Sequence, residues 1–202
     1  MISSRSVGLL VCLLLIVAVL PSLLSAQRGA LVVPQNLAEL VDQSQTILVG
    51  RVVSARAEKH PQFENFNTVV VTLRVEEVWK GSAGPTFTFR QYVWDIRDAA
   101  SVLGYRKGGE FLLLLIPPSQ YGLSSPAGLD YGRFRLLRDA RGVRSALNGF
   151  GNAGLFRGMD TQLRQKGIEL SPGPAALVAR HQRGPIALDD LKAIIQQLAG
   201  GN

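Results

Sequence analysis

The chain has 202 residues, a formal net charge of +7, 21 glycines and a single cysteine. One cysteine excludes an internal disulfide and every metal site or redox motif built from paired thiolates. The length suits one domain with elaborations, and two histidines, His60 and His181, leave little for imidazole-based metal or base chemistry.

Arg5 followed by the apolar run Val7–Leu20, Pro21 and the small residues Ser25-Ala26 has the layout of a secretory signal peptide over residues 1–26. The run is shorter than the roughly 20 residues a spanning helix needs; an uncleaved anchor is the alternative. Cys12 lies inside that run, behind Leu10-Val11 rather than a small residue, which argues against lipidation. Cleavage would leave 176 residues with a charge of +6 and no thiol. The expected location is therefore exported, periplasmic or extracellular, with the membrane met only transiently through the leader. Stability without disulfides must come from a hydrophobic core.

Asn36 reads as the N-cap of a short helix with Leu37, Leu40 and Val41 on one face. Thr46–Ala55 is a strand interrupted by Gly50, which marks a bulge. Val69, Val71, Leu73 and Val75 alternate with Thr72, Arg74 and Glu76 in a long half-buried strand, ended by Lys80-Gly81. Phe87 and Phe89 alternate with Thr86, Thr88 and Arg90 in a third strand. Asp95–Leu103 loses period two and is expected to be a short helix. Phe111–Ile116 is an apolar run suited to a strand buried on both faces, and Ser119–Gly128 is a loop. Arg133–Arg138 and Val143–Leu147 make a hairpin around Asp139–Gly142. Beyond Asn148, glycine and proline describe an irregular wrap, residues 148–202, with one helix over about 189–198 carrying Leu188, Leu191, Ile195 and Leu198. That stripe is expected to dock on the barrel.

Five strands with a helix between the third and fourth is the order of an OB-fold, a five-stranded Greek-key barrel. The expected class is thus mainly β: a barrel domain over 27–147, with a short N-terminal helix and a C-terminal amphipathic helix. Residues 37–147 also resemble exported bacterial proteins of the netrin-like or TIMP-like (tissue inhibitor of metalloproteinases) OB-fold group. The matching pieces are Leu48-Val49-Gly50-Arg51-Val52-Val53, Leu73–Gly81 with its Glu-Glu-Val-Trp-Lys-Gly ending, Lys107–Leu113 and Tyr131-Gly132-Arg133-Phe134. The resemblance implies a secreted binding module. It does not carry metalloproteinase inhibition, which in that family relies on an N-terminal cysteine.

No catalytic constellation is legible. His60 and His181 sit in polar stretches and are expected as solvated loop residues. Gly-x-Ser-x-Gly does not occur. Gly149–Gly154 matches Gly-x-Gly-x-x-Gly but lacks the parallel βαβ context that gives the motif its meaning. Glu76 and Glu77 are neighbours on a strand and point to opposite faces unless a bulge re-aims one. No catalytic residue, metal ligand or cofactor is expected.

The candidate surface is basic. Arg133, Arg135, Arg138, Arg141 and Arg144 fall within twelve residues, and Arg90, Tyr92 and Trp94 lie on or after the third strand. OB-folds bind oligonucleotides and oligosaccharides with such groups. The expected site is Arg90, Tyr92, Trp94, Tyr131, Arg133 and Arg135, and the expected partner an exported protein or anionic envelope component; export argues against nucleic acid. A hydrolase whose site assembles only in three dimensions, and a purely structural envelope protein, are the alternatives.

Overall fold

The computed structural model describes residues 33–93 and 104–200. The expected leader, Trp94 and the expected helix at 95–103 lie outside them. In chain order the elements are α1 (Leu37–Gln43), β1 (Thr46–Lys59), β2 (Asn67–Lys80), β3 (Thr86–Tyr92), β4 (Glu110–Leu115), β5 (Arg133–Arg138) and β6 (Arg144–Asn148). Then follow α2 (Met159–Lys166), α3 (Pro172–Arg180), β7 (Ile186–Ala187) and α4 (Leu188–Gly200). All seven strands form one antiparallel sheet in the order β3-β2-β1-β4-β5-β6-β7. The protein is mainly β, and the sheet is open. This departs from a closed barrel of five strands because β6 and β7 carry the sheet onward from β5 instead of returning it to β3.

The centre of the sheet is buried on both faces. Leu48, Val52, Val71, Leu73, Phe89, Phe111, Leu113 and Leu115 share one face and pack around Tyr105. Ile47, Val49, Leu112 and Leu114 alternate with them and are equally buried, on the side where α1 meets β4 and α4 meets β2 and β6. Two covered faces explain why Phe111–Leu115 is continuously apolar. Each fully buried leucine contributes about 1.5–3 kcal/mol. Gly50 sits at a register shift between β1 and β2. A Cβ there would lie 2.8 Å from the Arg74 carbonyl oxygen, so only glycine lets the strands approach at this bend.

Asn36 caps α1 in a full capping box with Glu39. The stretch after Asn148, expected to be irregular up to its last helix, contains two further helices. In α3 the Ser171-Pro172 pair is a helix start, with proline in the first turn where its missing N–H costs nothing. In α2 glycines flank the helix at both ends, Gly158 and Gly167, each in the left-handed region. Helix α4 buries Leu188, Leu191, Ile194, Ile195 and Leu198, so the expected stripe is present, one residue wider and docked. None of the helices among the described residues is long and apolar enough to cross a membrane.

Candidate binding site

Arg90 is half-buried on β3, its guanidinium donating to Thr68 Oγ1 at 2.9 Å and pairing with Glu58 at 2.8 Å. Thr68 in turn donates its hydroxyl to the Glu58 carbonyl at 2.8 Å. One arginine thus ties the far ends of β1, β2 and β3 together. Two residues on, Tyr92 is 44% exposed and meets Phe66 edge-on at 6.0 Å.

Phe66 belongs to the turn joining β1 to β2, and there the sequence expectation fails. His60 is buried, 5% exposed, rather than a solvated loop residue. Its Nδ1 accepts from the Gln62 N–H at 3.2 Å, and its Nε2 donates to the Tyr121 carbonyl at 2.8 Å. Polar flanking residues suggest exposure, but the imidazole is the peg that joins the β1–β2 turn to the loop after β4. Around it Phe63, Phe66 and Tyr121 meet one another and the imidazole in tilted and edge-on pairs, with centroids 5.0–6.2 Å apart. Phe63 and Tyr121 remain 36% and 41% exposed. Five rings therefore cap one end of the sheet, and only Tyr92 among them was a sequence candidate. The available signal was two phenylalanines in a seven-residue hairpin turn, where no core exists to receive them.

The cap adjoins a cleft of about 530 Å³. Phe87, Thr88, Phe89 and Arg90 form one side; Thr46, Leu115, Ile116, Gly122 and Ser124 contribute to the rest. Arg90 is the one charged side chain lining it among the described residues. The segment Leu123–Ala127 is a strap across this seam. The Ser124 N–H donates to the Arg90 carbonyl at 2.8 Å, and the Ala127 N–H to the Leu114 carbonyl at 2.7 Å. Isolated bridges pair Arg90 with Leu123 and Leu115 with Pro126. Gly132 is pressed against the Ala127 backbone so closely that a Cβ would collide with it.

The other sequence candidates lie elsewhere. Arg133 and Arg135 pair with Leu113 and Phe111 across the β4–β5 ladder, which puts them on the face that also holds Phe89. Arg90 and Tyr92 alternate with Phe89 and occupy the opposite face. The structure therefore does not assemble the two groups into one patch. Arg133 is held by Asp130 and lies 5.1 Å over the Tyr105 ring, whose burial pushes its hydroxyl pKa upward. Tyr131 is buried and stacks on Phe150 at 4.0 Å. Arg135 is exposed.

The basic hairpin is largely neutralised. Arg138 pairs with Glu110 at 2.8 Å, and Arg144 with Glu76 at 2.9 Å and Glu77 at 3.2 Å. Glu110 also pairs with Arg51. Counting arginines along the hairpin misses this, because the partner carboxylates come from β2 and β4. Glu76 and Glu77 converge on one guanidinium because the β1–β2 register shifts between Val49 and Gly50, a bulge that re-aims one of them. Glu77 additionally takes Lys192 Nζ at 2.6 Å and Trp79 Nε1 at 3.0 Å. Those hydrogen bonds, that of Lys192 foremost, hold its carboxyl below the usual range against the opposing pull of burial.

Gly149–Gly154 forms turns rather than a helix start. Its middle residue, Asn152, is wholly buried with φ +57°. Asn152 Nδ2 donates to the Ala146 and Gly184 carbonyls, both at 2.9 Å, and its Oδ1 accepts from the Asn148 N–H at 2.9 Å. The motif is a clasp closing the loops beside β6. Among the described residues no group of three metal-ligating side chains gathers. Comparison with protein-family models, curated proteins and solved structures finds no match to this chain.

Proposed function

We propose that the chain is an exported, non-enzymatic binding module of the OB, netrin-like kind, and that its ligand seats on the aromatic cap and adjoining cleft rather than on the arginine hairpin. The observation that carries this reading is the trio of partly exposed rings, Phe63, Tyr92 and Tyr121, held around a buried histidine beside a cleft of about 530 Å³. Aromatic contacts of this type contribute about 0.5–1.5 kcal/mol per pair beyond burial alone, and a preset cap spends little entropy on binding. The strap supports the barrel-type reading, since it joins the two sides of the curled sheet by single rungs at Arg90 and Leu115.

Of the two expected partner classes, an exported protein fits this site better than an anionic polymer. Arg90, the charged group among the cleft's described residues, already has Glu58 as its counterion, and the hairpin's Arg133, Arg138 and Arg144 are paired with carboxylates. The non-enzymatic reading draws support from His60, whose two ring nitrogens are both engaged by main-chain groups. The leader-like N-terminus supports a periplasmic or extracellular setting.

The test is capture of partners from the exported fraction of the source cells by the purified chain, alongside Tyr92→Ala/Tyr121→Ala and Arg133→Ala/Arg135→Ala variants. The first variant should lose the captured partner and the second retain it. Equal capture by the Tyr92→Ala/Tyr121→Ala protein overturns the proposal.

A further inference from the structure

Among the described residues strand β3 ends the sheet, and its backbone polar groups alternate in direction. The Val93 N–H donates to the Asn67 carbonyl and the Pro85 carbonyl accepts from the Val75 N–H, so the odd-numbered residues face β2. Thr86, Thr88, Arg90 and Tyr92 therefore direct their N–H and C=O groups away from the sheet. Of these, Arg90 has its rung, parallel, with the strap at Leu123 and Ser124. The outward groups of Thr86 and Thr88 have no backbone partner among the described residues, and Thr88 lines the cleft.

Edges of this kind template a further strand, and proteins usually blunt them with lysine, proline or a bulge. Within Thr86-Phe87-Thr88-Phe89-Arg90 none of those is present. Every residue before Arg90 is β-branched or aromatic, the composition that suits a paired strand.

We propose that the outer edge of β3 from Thr86 to Phe89 docks an extended, uncharged peptide segment of a partner protein, which adds to the sheet as a strand inside the cleft. This rests on the reading of the cleft as the binding site and names the class of its ligand. The strap already pairs with the same edge, so a peptide would continue an existing ladder. Four residues of β3 span about 13 Å, which admits a peptide strand of about four residues. The walls alternate apolar Phe87, Phe89 and Val70 with hydroxyls of Thr88, Ser82 and Ser124. The other side, Thr46 with Leu115 and Ile116, bounds the cleft at about 530 Å³, the size of a ligand pocket rather than of an open sheet edge, which disfavours a second copy of this protein. Backbone pairing supplies the affinity and the cap of rings reads the flanking side chains.

The test uses a phage-displayed random decapeptide library selected on the full chain, with enriched peptides synthesised and titrated by calorimetry. Thr88→Pro deletes one outward N–H at an edge position where proline is tolerated. It should weaken the enriched peptides by about tenfold or more, while its melting curve reports that it remains folded. In the unmodified chain, peptide binding should slow amide exchange at Thr88, a readout independent of the variant. The proposal is overturned if no peptide is enriched, or if Thr88→Pro binds equally well and the Thr88 amide gains no protection. It is equally overturned if the chain instead forms a dimer that Thr88→Pro abolishes. If Tyr92→Ala/Tyr121→Ala loses its captured partner while Thr88→Pro keeps it, the site stands and the peptide assignment falls.

Discussion

Asn152 shows how much a single side chain can do in a loop. It is wholly buried, adopts the left-handed backbone that asparagine tolerates better than most residues, and uses both ends of its amide on three main-chain groups, two in β6 and one at Gly184. Replacing it with alanine leaves the Ala146 and Gly184 carbonyls without their donors, and each unsatisfied buried group costs about 1–3 kcal/mol. Asn152→Ala should therefore lower unfolding stability by several kcal/mol, read from denaturant melts. Asn152→Gly, which relieves the backbone but restores no hydrogen bond, should recover only a minor part. The surrounding glycines match the dinucleotide-binding spacing without its parallel βαβ context; the asparagine between them makes a structural clasp. His60 teaches the same lesson in reverse, since nothing in its flanks announces that both ring nitrogens will find partners 61 and two residues away.

At the scale of elements, α4 is fastened to the sheet by a charge as well as by its leucines. Lys192 donates to Glu77 and lies 5.9 Å over the Trp79 ring. Because the folded carboxyl is held below the ordinary value of 4.5, it contributes stability that is fully present above 4.5 and is lost as pH falls through the lower folded value. Comparing acid unfolding of the unmodified chain with Glu77→Gln should show an advantage for the unmodified chain at pH 6 that shrinks toward zero below pH 4. An advantage that is constant across that window would mean packing, not ionisation, holds the helix.

Elements were legible where periodicity is local. Val69–Val75 alternates, and α4 repeats its apolar residues at helical spacing, so both stand out in one dimension. Helices α2 and α3 did not, because their flanking glycines and prolines read as breakers when they in fact cap. The candidate site was legible only at Arg90 and Tyr92. The rest of it depends on two loops meeting across the sheet end, and the basic hairpin looked unopposed because its carboxylates are 28 to 68 residues distant in the chain.

In the whole molecule, neighbours in the sheet are neighbours in sequence with one exception. Strands β3, β2 and β1 form one meander and β4 to β7 another, and the six-residue ladder from Thr46–Leu115 to Arg51–Glu110 is where the two are joined. Every other pairing closes a shorter loop, so this joint bears the largest entropy of chain closure. Its formation is expected to set the tempo of folding, because each other strand pair closes a shorter loop and the wait is for β1 to find β4. Val49→Ala, in that ladder, should slow refolding, whereas Leu198→Ala at the end of α4 should chiefly quicken unfolding. Stopped-flow chevrons showing the opposite division would place the slow step elsewhere. The open order of the sheet is thus also a timetable, with the middle of the structure completed last.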